Sequence, residues 1–294
     1  VTDAMELVQR AFEDVRHNNN DAGPELDKAL HAQGFAGLPE EVRHETIFMA
    51  SLIAWETGKY DKAHGLAVQA TRFPEADNVA WLTRFSSAFA IKNFGDAAYS
   101  LTMFTQRWPA KLGDVVPGAV MQLHYQLKLA HEDETDRLML DELFDAGWQI
   151  EGVEPSNLWR DLALKHLQRG EVARATKVAL RITSGQVALS MQVDKRFDAI
   201  TLPHRGAFDV DRLVAAEITA TRARMAAHPD QLQPITDLQE LFLLTGQYPK
   251  VLSISDAVVA RTEKREGAKA YTDFSDRYNW VLDNRSRAFK RQAQ

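Results

Sequence analysis

The sequence contains no cysteine, which excludes disulfide bonds, thiolate zinc sites, iron–sulfur clusters and cysteine nucleophiles. It also lacks an apolar run of the ~20 residues that a membrane-spanning helix needs, since the longest runs only from Ile47 to Trp55. We therefore expect no membrane insertion. The missing cysteines and the absence of an initiator Met at Val1 favour an exported, periplasmic type of protein, with a cytoplasmic one as the alternative.

An excess of positive charge is missing too. Lys and Arg number 35 against 41 Asp and Glu, which gives a net charge of -6, so we expect no nucleic-acid partner. The charge is unevenly spread. Between His131 and Glu154 nine acidic residues accompany one base, Arg137, whereas from Arg261 onward nine Lys and Arg accompany five acids. This distribution predicts that the acidic middle attracts a basic partner and that the basic end contacts an acidic one.

Helix is the dominant prediction for the whole chain. Only 15 glycines and 10 prolines occur in 294 residues, and apolar or small residues recur at intervals of three and four, as at Ile47, Ala50, Ser51 and Ala54. Alternating β-branched and aromatic residues are scarce. The sequence therefore predicts an all-α fold with no sheet.

Similar turns recur along the chain. Three segments beginning with glycine, 58–63, 170–175 and 246–251, share a Gly, an aromatic or apolar residue two places later and a small or apolar residue five places later. The segment 92–97 lacks the glycine but keeps the other two features. The glycine favours the left-handed conformation that ends a first helix, and the small residue lets a second helix approach closely.

Further breaks near residues 20, 132 and 204 complete a series of turns with a mean spacing of roughly 38 residues. The series predicts seven antiparallel helical hairpins. A last helix, from about Phe274 to Arg291, follows them either as a cap or as the start of a further repeat. Three segments are thus expected: an N-terminal hairpin or cap at 1–40, repeats at 41–262 and a C-terminal helix at 263–294.

The pattern resembles the tetratricopeptide repeat. The residues Trp159, Leu162, Ala163, Gly170 and Ala175 stand at the spacing of that family's large, large, small, glycine and small places. A second unit adds Trp81, Ala97 and Pro109, and the resemblance covers about half of the chain. It implies a right-handed α-solenoid of about seven hairpins that binds proteins or peptides.

No catalytic motif accompanies this pattern. The sequence has no Gly-x-Ser-x-Gly elbow, glycine-rich phosphate loop or His-Glu-x-x-His helix. His124 and His131 would lie about 10 Å apart on a helix, too far to share a metal ion. The Glu41-x-x-His44 spacing lacks the second such motif that a di-iron site requires. We therefore expect no catalytic residues, no metal and no cofactor.

The resemblance also implies a ligand groove. In proteins of this type the first helix of each hairpin lines a concave face, and aromatic residues there can anchor a ligand while Asn157 and Arg160 hydrogen-bond it. The alternative is that the aromatic members of the set are simply buried between hairpins. The implied groove residues are Glu45, Phe48, Trp55, Val79, Phe89, Asn157, Arg160, Gln168, Thr236 and Glu240.

The expected function is therefore a non-catalytic scaffold that binds a protein or peptide segment on its concave face. Two alternatives remain open. An α/α-toroid carbohydrate-active enzyme is also built from helical hairpins and would bring Trp and carboxylates together in a central cavity. A self-assembly module would use the last helix to dock on another copy of the chain.

Overall fold

The computed structural model describes residues 2–17, 22–182, 187, 190–191, 195–204, 206–208, 210–264 and 267–293. Within these ranges the chain is helical and has no β-strand, which confirms the all-α prediction. The chain forms two compact units, Val1–Trp148 (unit 1) and Gln149–Gln294 (unit 2). In the described parts, none of the helices is sufficiently long and apolar to cross a bilayer. The expected segments 1–40, 41–262 and 263–294 follow the repeat pattern and stay a prediction.

The described part of unit 1 has eight α-helices that pack as four consecutive pairs. We call each pair a hairpin. Short 3₁₀ segments, Phe35–Gly37 and Pro109–Asp114, precede the second and fourth hairpins. The helices are α1 (Thr2–Arg16), α2 (Ala22–Leu30), α3 (Glu40–Glu56), α4 (Tyr60–Ala70), α5 (Asn78–Ala90), α6 (Phe94–Arg107), α7 (Pro117–Leu129) and α8 (Asp133–Asp145).

The hairpin turns of both units share one backbone geometry. Gly58, Lys92 and His131 in unit 1, and Gly170 and Gly246 in unit 2, all have positive φ angles between 57° and 74°. The amide of the next residue donates to the carbonyl five residues earlier, at 2.8 to 2.9 Å in all five turns. This pair of features is the Schellman ending of a helix. The turns predicted at 58, 93, 132, 170 and 246 are therefore confirmed.

What lies between the two helices of a hairpin differs along unit 1. Seven residues before and five residues after the left-handed residue, the second hairpin has Ser51 and Ala63, both fully buried. The fourth hairpin has His124 and Asp136 at the same two places. Accordingly α3 and α4 approach closely along much of their length, and α7 and α8 do so less. Small residues permit close helix packing, whereas larger side chains hold the helices apart.

Polar pairs connect each second helix of unit 1 with the second helix of the next hairpin. The partners lie 35, 32 and 36 residues apart, near the predicted period. The second helices therefore follow one another in chain order along one side of unit 1. The pairs are Asp27 with Lys62, His64 with Asp96 and Gln106 with Glu142.

The fourth hairpin departs from this arrangement. Of the two helices in the next hairpin, the second helix of each earlier hairpin packs mainly on the first, as α4 does on α5. By contrast, α6 packs more extensively on α8 than on α7. The 3₁₀ segment Pro109–Asp114 and Pro117 at the start of α7 lie where the chain enters this hairpin.

Seven α-helices of unit 2 have bounds that lie within its described residues. They include the predicted last helix, which spans Phe274–Gln292. The turns predicted at residues 18–24 and 202–206 include positions 18–21 and 205, which lie outside the described residues. The helices are α9 (Ser156–Gln168), α10 (Val172–Ala179), α11 (Asp198–Thr201), α12 (Val210–Ala227), α13 (Gln233–Leu244), α14 (Tyr248–Lys264) and α15 (Phe274–Gln292).

Helix α15 packs against both α13 and α14. Val281 of α15 lies in a core cluster with Ile235 of α13, and Ala288 of α15 lies in another cluster with Leu238. Along both helices the residue of the first cluster precedes the residue of the second cluster, so α15 runs parallel to α13. This is the position that the first helix of a hairpin takes on the hairpin before it, as α5 does on α3 and α4.

Candidate functional site

Five of the groove residues implied by the sequence lie in unit 1, on two helices that pack against each other. Helix α3 carries Glu45, Phe48 and Trp55, and α5 carries Val79 and Phe89. Glu45 and Val79 are exposed, and the three aromatic residues are half-buried. Part of each aromatic side chain therefore packs inside the unit, and part remains accessible to a partner.

Two of these aromatic residues rest on the residues that begin the next helix. The Trp55 ring lies 4.9 Å from the ring of Tyr60, and the Phe89 ring lies 5.9 Å from that of Phe94. Tyr60 and Phe94 follow the left-handed residue of their turns by two places. The turn therefore fixes the position of the aromatic residue at the end of the first helix.

A groove of about 640 Å³ lies between α1 and α3, which are the first helices of two successive hairpins. The groove contains Glu45, together with acidic, basic and apolar side chains from α1. An open groove of this composition suits a peptide with mixed side chains. Its lining residues are Gln9, Phe12, Glu13, Val15, Arg16, Glu45 and Met49.

An apolar stripe on α7 was not among the predicted residues. Met121, Tyr125 and Leu129 are 38%, 55% and 58% exposed and follow one another at intervals of four residues. Residues spaced in this way lie along one side of a helix. Exposed large apolar side chains in a contiguous group indicate an interaction surface, whereas isolated ones do not.

The three residues of this stripe can be identified in the sequence by their distances from the turn at His131. Met121, Tyr125 and Leu129 lie ten, six and two residues before the left-handed His131. The predicted set did not include them because this hairpin resembles the tetratricopeptide repeat only in length and helicity, and the set came from the units that match the repeat motif. The predicted residues at the same distances from their own turns are Phe48, Glu240 and Gln168.

In unit 2, the three predicted residues of α9 have different surroundings. Asn157 and Gln168 are exposed. The Arg160 guanidinium donates to Asp161 at 2.9 Å and lies 5.5 Å from the centre of the Phe197 ring. Arg160 is therefore already held by neighbouring groups of unit 2, and a ligand would have to share these contacts or replace them.

The remaining two predicted residues lie on α13, which packs against α12, α14 and α15. Thr236 is only 2% exposed, and its hydroxyl donates to the Gln233 carbonyl at 2.9 Å. Glu240 is half-buried. Thr236 therefore belongs to the packed interior of unit 2 and not to an accessible face.

Unit 2 also contains two acidic groups that influence each other. Burial raises the pKa of Glu217 despite the hydrogen bonds from Arg224 and Thr221, and the nearby charge of Asp237 raises it further. Burial also raises the pKa of Asp237, against a hydrogen bond from Gln233. A facing pair of carboxylates is what the enzyme alternative would require. Here each carboxylate accepts a hydrogen bond from its own helix or a neighbouring arginine, as structural acids do.

A polar network joins three helices of unit 1. The Arg84 guanidinium binds Asp96 through two nitrogens, and His64 lies 2.9 Å from the same carboxylate. Burial alone would raise the pKa of Asp96, but the hydrogen bonds from Arg84 and His64 outweigh it and lower this pKa. Arg84 also lies over the rings of Trp81 and Tyr99. The network holds α4, α5 and α6 in register.

Among the residues that the structure describes, no group of three or more His, Asp or Glu side chains could hold a metal ion. His124, one of the histidines considered from the sequence, has its Nδ1 2.9 Å from the carboxylate of Asp136.

The two units carry opposite net charge. Residues 1–148 contain 13 Lys and Arg against 23 Asp and Glu, for a net charge of -10, and residues 149–294 contain 22 against 18, for +4. The fold and this surface define an all-helical hairpin protein with an accessible apolar face on an acidic unit. No protein-family model matches the sequence, and no curated protein is significantly similar to it.

Proposed function

We propose that the chain is a non-catalytic scaffold, and that the first helices of unit 1 bind an apolar, basic segment of another protein. The hairpins would stack as a right-handed solenoid similar to tetratricopeptide repeats, with these first helices on the concave face. The consecutive polar pairs between the second helices and the repeated turns support such stacking in unit 1.

The observation that carries the proposal is the exposed stripe of Met121, Tyr125 and Leu129 on α7. Full burial of a large apolar side chain contributes about 1.5–3 kcal/mol. A few such anchors provide most of the affinity in protein recognition, and tyrosine is among the residues most often found in that role. Trp55 and Phe89 would add partly exposed aromatic contacts on α3 and α5.

The net charge of unit 1 indicates the chemistry of the partner. Glu132 directly precedes helix α8, which begins with Asp133 and Glu134, and all three residues are exposed. An acidic surface beside an apolar stripe attracts a segment that carries both large apolar and basic side chains, and it repels an acidic one. We therefore expect the bound segment to have a net positive charge.

Selection from a random library of displayed 15-residue peptides on the immobilised full chain tests the proposal. We expect the enriched peptides to combine large apolar residues with Lys or Arg. A Tyr125→Ser/Leu129→Ser variant should bind a selected peptide at least about tenfold more weakly, because the anchors are lost. Fluorescence anisotropy with the labelled peptide measures this affinity.

The matched control is Leu138→Ser, since Leu138 is also an exposed apolar residue of unit 1, at 48%, but lies on α8. It should leave peptide affinity unchanged. Enrichment of acidic peptides, or equal losses in the control and the α7 variant, would contradict the proposal.

A further inference from the structure

Helix α15 of unit 2 presents large apolar side chains outside its packed face. Val281, Asn284 and Ala288 are buried against α13 and α14, whereas Leu282 and Phe289 are 38% and 50% exposed. The surface is separate from the proposed groove in unit 1, and an inference drawn from it does not depend on that function.

The exposed residues of α15 fall on two different flanks. At 3.6 residues per turn, the separation of seven positions between Leu282 and Phe289 places them within about 20° of each other around the helix axis. Trp280, which is 51% exposed, lies about 180° from Phe289 on the opposite flank. Ser286, small and exposed, lies beside Leu282 and Phe289, so a second helix can approach closely there.

Phe289 is held in place before any partner arrives. Arg285 donates to Asp256 of α14 at 2.6 Å, and its guanidinium lies 5.3 Å from the centre of the Phe289 ring. One side of the ring therefore has a fixed neighbour while half of its surface stays exposed. An aromatic side chain that is already ordered loses less conformational entropy on association.

Charge along α15 is divided between its two ends. The acidic residues, Asp276 and Asp283, lie in the first half beside Arg277, whereas the second half carries only basic charges, which are Arg285, Arg287, Lys290 and Arg291. An antiparallel pair of such helices sets acidic residues of each against basic residues of the other. A parallel pair sets like charges together, which is unfavourable.

We propose that two copies of the chain associate through α15, with the two helices antiparallel about a twofold axis near Ser286. The same axis brings Leu282 against Phe289 of the second copy and Asp283 against Lys290 of the second copy. A twofold interface is self-complementary in this way.

The mass of the full chain in solution is the first test. At about 100 µM, light scattering should give twice the 33.1 kDa of one chain. A Leu282→Glu/Phe289→Glu variant should give the mass of a single chain, with its helical circular dichroism unchanged. Trp280→Glu is the matched control because it changes an equally exposed residue of the same helix, and it should remain a dimer.

A charge exchange tests the orientation. Asp283→Lys places lysines against Lys290 of the second copy at both ends of the interface, so it should weaken association about tenfold or more. The double variant Asp283→Lys/Lys290→Asp should associate again. Wild-type and doubly exchanged chains should not mix, since each mixed pair sets like charges together.

A wild-type chain that stays monomeric at this concentration overturns the proposal. So does a dimer that Trp280→Glu dissociates while Leu282→Glu/Phe289→Glu leaves it intact. A double exchange that fails to restore association, or that mixes freely with the wild type, rejects the antiparallel arrangement that the proposal requires.

Discussion

The hairpins α3/α4 and α7/α8 of unit 1 end their first helices with the same backbone turn but contain different residues between the helices. In α3/α4 the facing residues are Ser51 and Ala63, and the Ser51 hydroxyl donates to a carbonyl of its own helix at 2.7 Å. In α7/α8 the Asp136 carboxylate accepts a hydrogen bond from Nδ1 of His124, with the two oxygens at 2.9 and 3.1 Å. Close packing of small side chains thus joins α3 to α4, whereas a buried polar pair joins α7 to α8.

This difference bears on the surface that we propose for binding. Small facing residues bring α3 and α4 together, and α5 then covers part of both. The bulkier pair accompanies a wider spacing of α7 and α8, and α6 packs more extensively on α8 than on α7. One side of α7 is left exposed as a result, with Met121, Tyr125 and Leu129 along it. The hairpin that departs from the repeated packing is thus the one that carries the candidate binding surface.

Removing the Asp136 carboxylate from the α7/α8 hairpin should cause the largest loss of unfolding free energy. Asp136 is completely buried, and Asp136→Ala deprives the buried His124 of an acceptor. Removing one partner of a buried hydrogen bond costs about 1–3 kcal/mol, and more where the bond involves a carboxylate, because the remaining group stays desolvated without that bond. Chemical denaturation followed by circular dichroism measures this loss of unfolding free energy.

The double variant His124→Ala/Asp136→Ala sharpens the comparison, since it gives α7/α8 small residues at the places that Ser51 and Ala63 occupy in α3/α4. We expect it to lose less stability than the sum of the two single variants by about 0.5–3 kcal/mol. Additive losses would show that the two side chains act independently, contrary to the structure.

Adding side-chain volume between α3 and α4 should cause a loss of unfolding free energy of intermediate size. Ala63 is completely buried where α4 faces α3. Ala63→Leu adds three carbon atoms at this contact and should cost about 1–3 kcal/mol of unfolding free energy through overpacking. Thermal unfolding of the variant measures the loss.

Ala90→Leu provides the control for Ala63→Leu. Ala90 is an exposed alanine of α5, so the same added volume meets solvent and should change stability by no more than about 0.5 kcal/mol. An equal loss in both variants would mean that helix spacing in the close hairpin does not depend on Ala63.

Much of the fold could be predicted because its turns are local. Gly58, Gly170 and Gly246 mark the left-handed positions directly. The turn at Lys92 is indicated by the aromatic and small residues that follow it, and the turn at His131 by a break in the helical pattern. The apolar period of three and four residues identified the helices, including Phe274–Gln292. The division into two compact units was not predictable, since it depends on contacts between residues far apart in sequence.

The candidate site was harder to predict because it depends on how neighbouring helices pack. Thr236 stands at a groove place by sequence spacing, but the elements that pack on α13 leave it 2% exposed. Conversely, Tyr125 becomes accessible where the packing around α7 changes. The position of a residue in the repeat predicts which face of its helix it occupies. Whether that face is exposed depends on the helices that pack against it.

The smallest expected effect concerns the turns of the same two hairpins. Gly58 has a φ of 72° and His131 a φ of 57°. The left-handed conformation costs a residue with a side chain about 1–2 kcal/mol, partly offset by the greater freedom of glycine in the unfolded chain. His131→Gly should therefore stabilise the chain by about 0.5–1 kcal/mol, and Gly58→Ala should destabilise it by a similar amount. Gln122→Gly, at an exposed right-handed position of α7, should destabilise by about 0.5–1 kcal/mol, so a gain there as large as at His131 would refute the left-handed explanation.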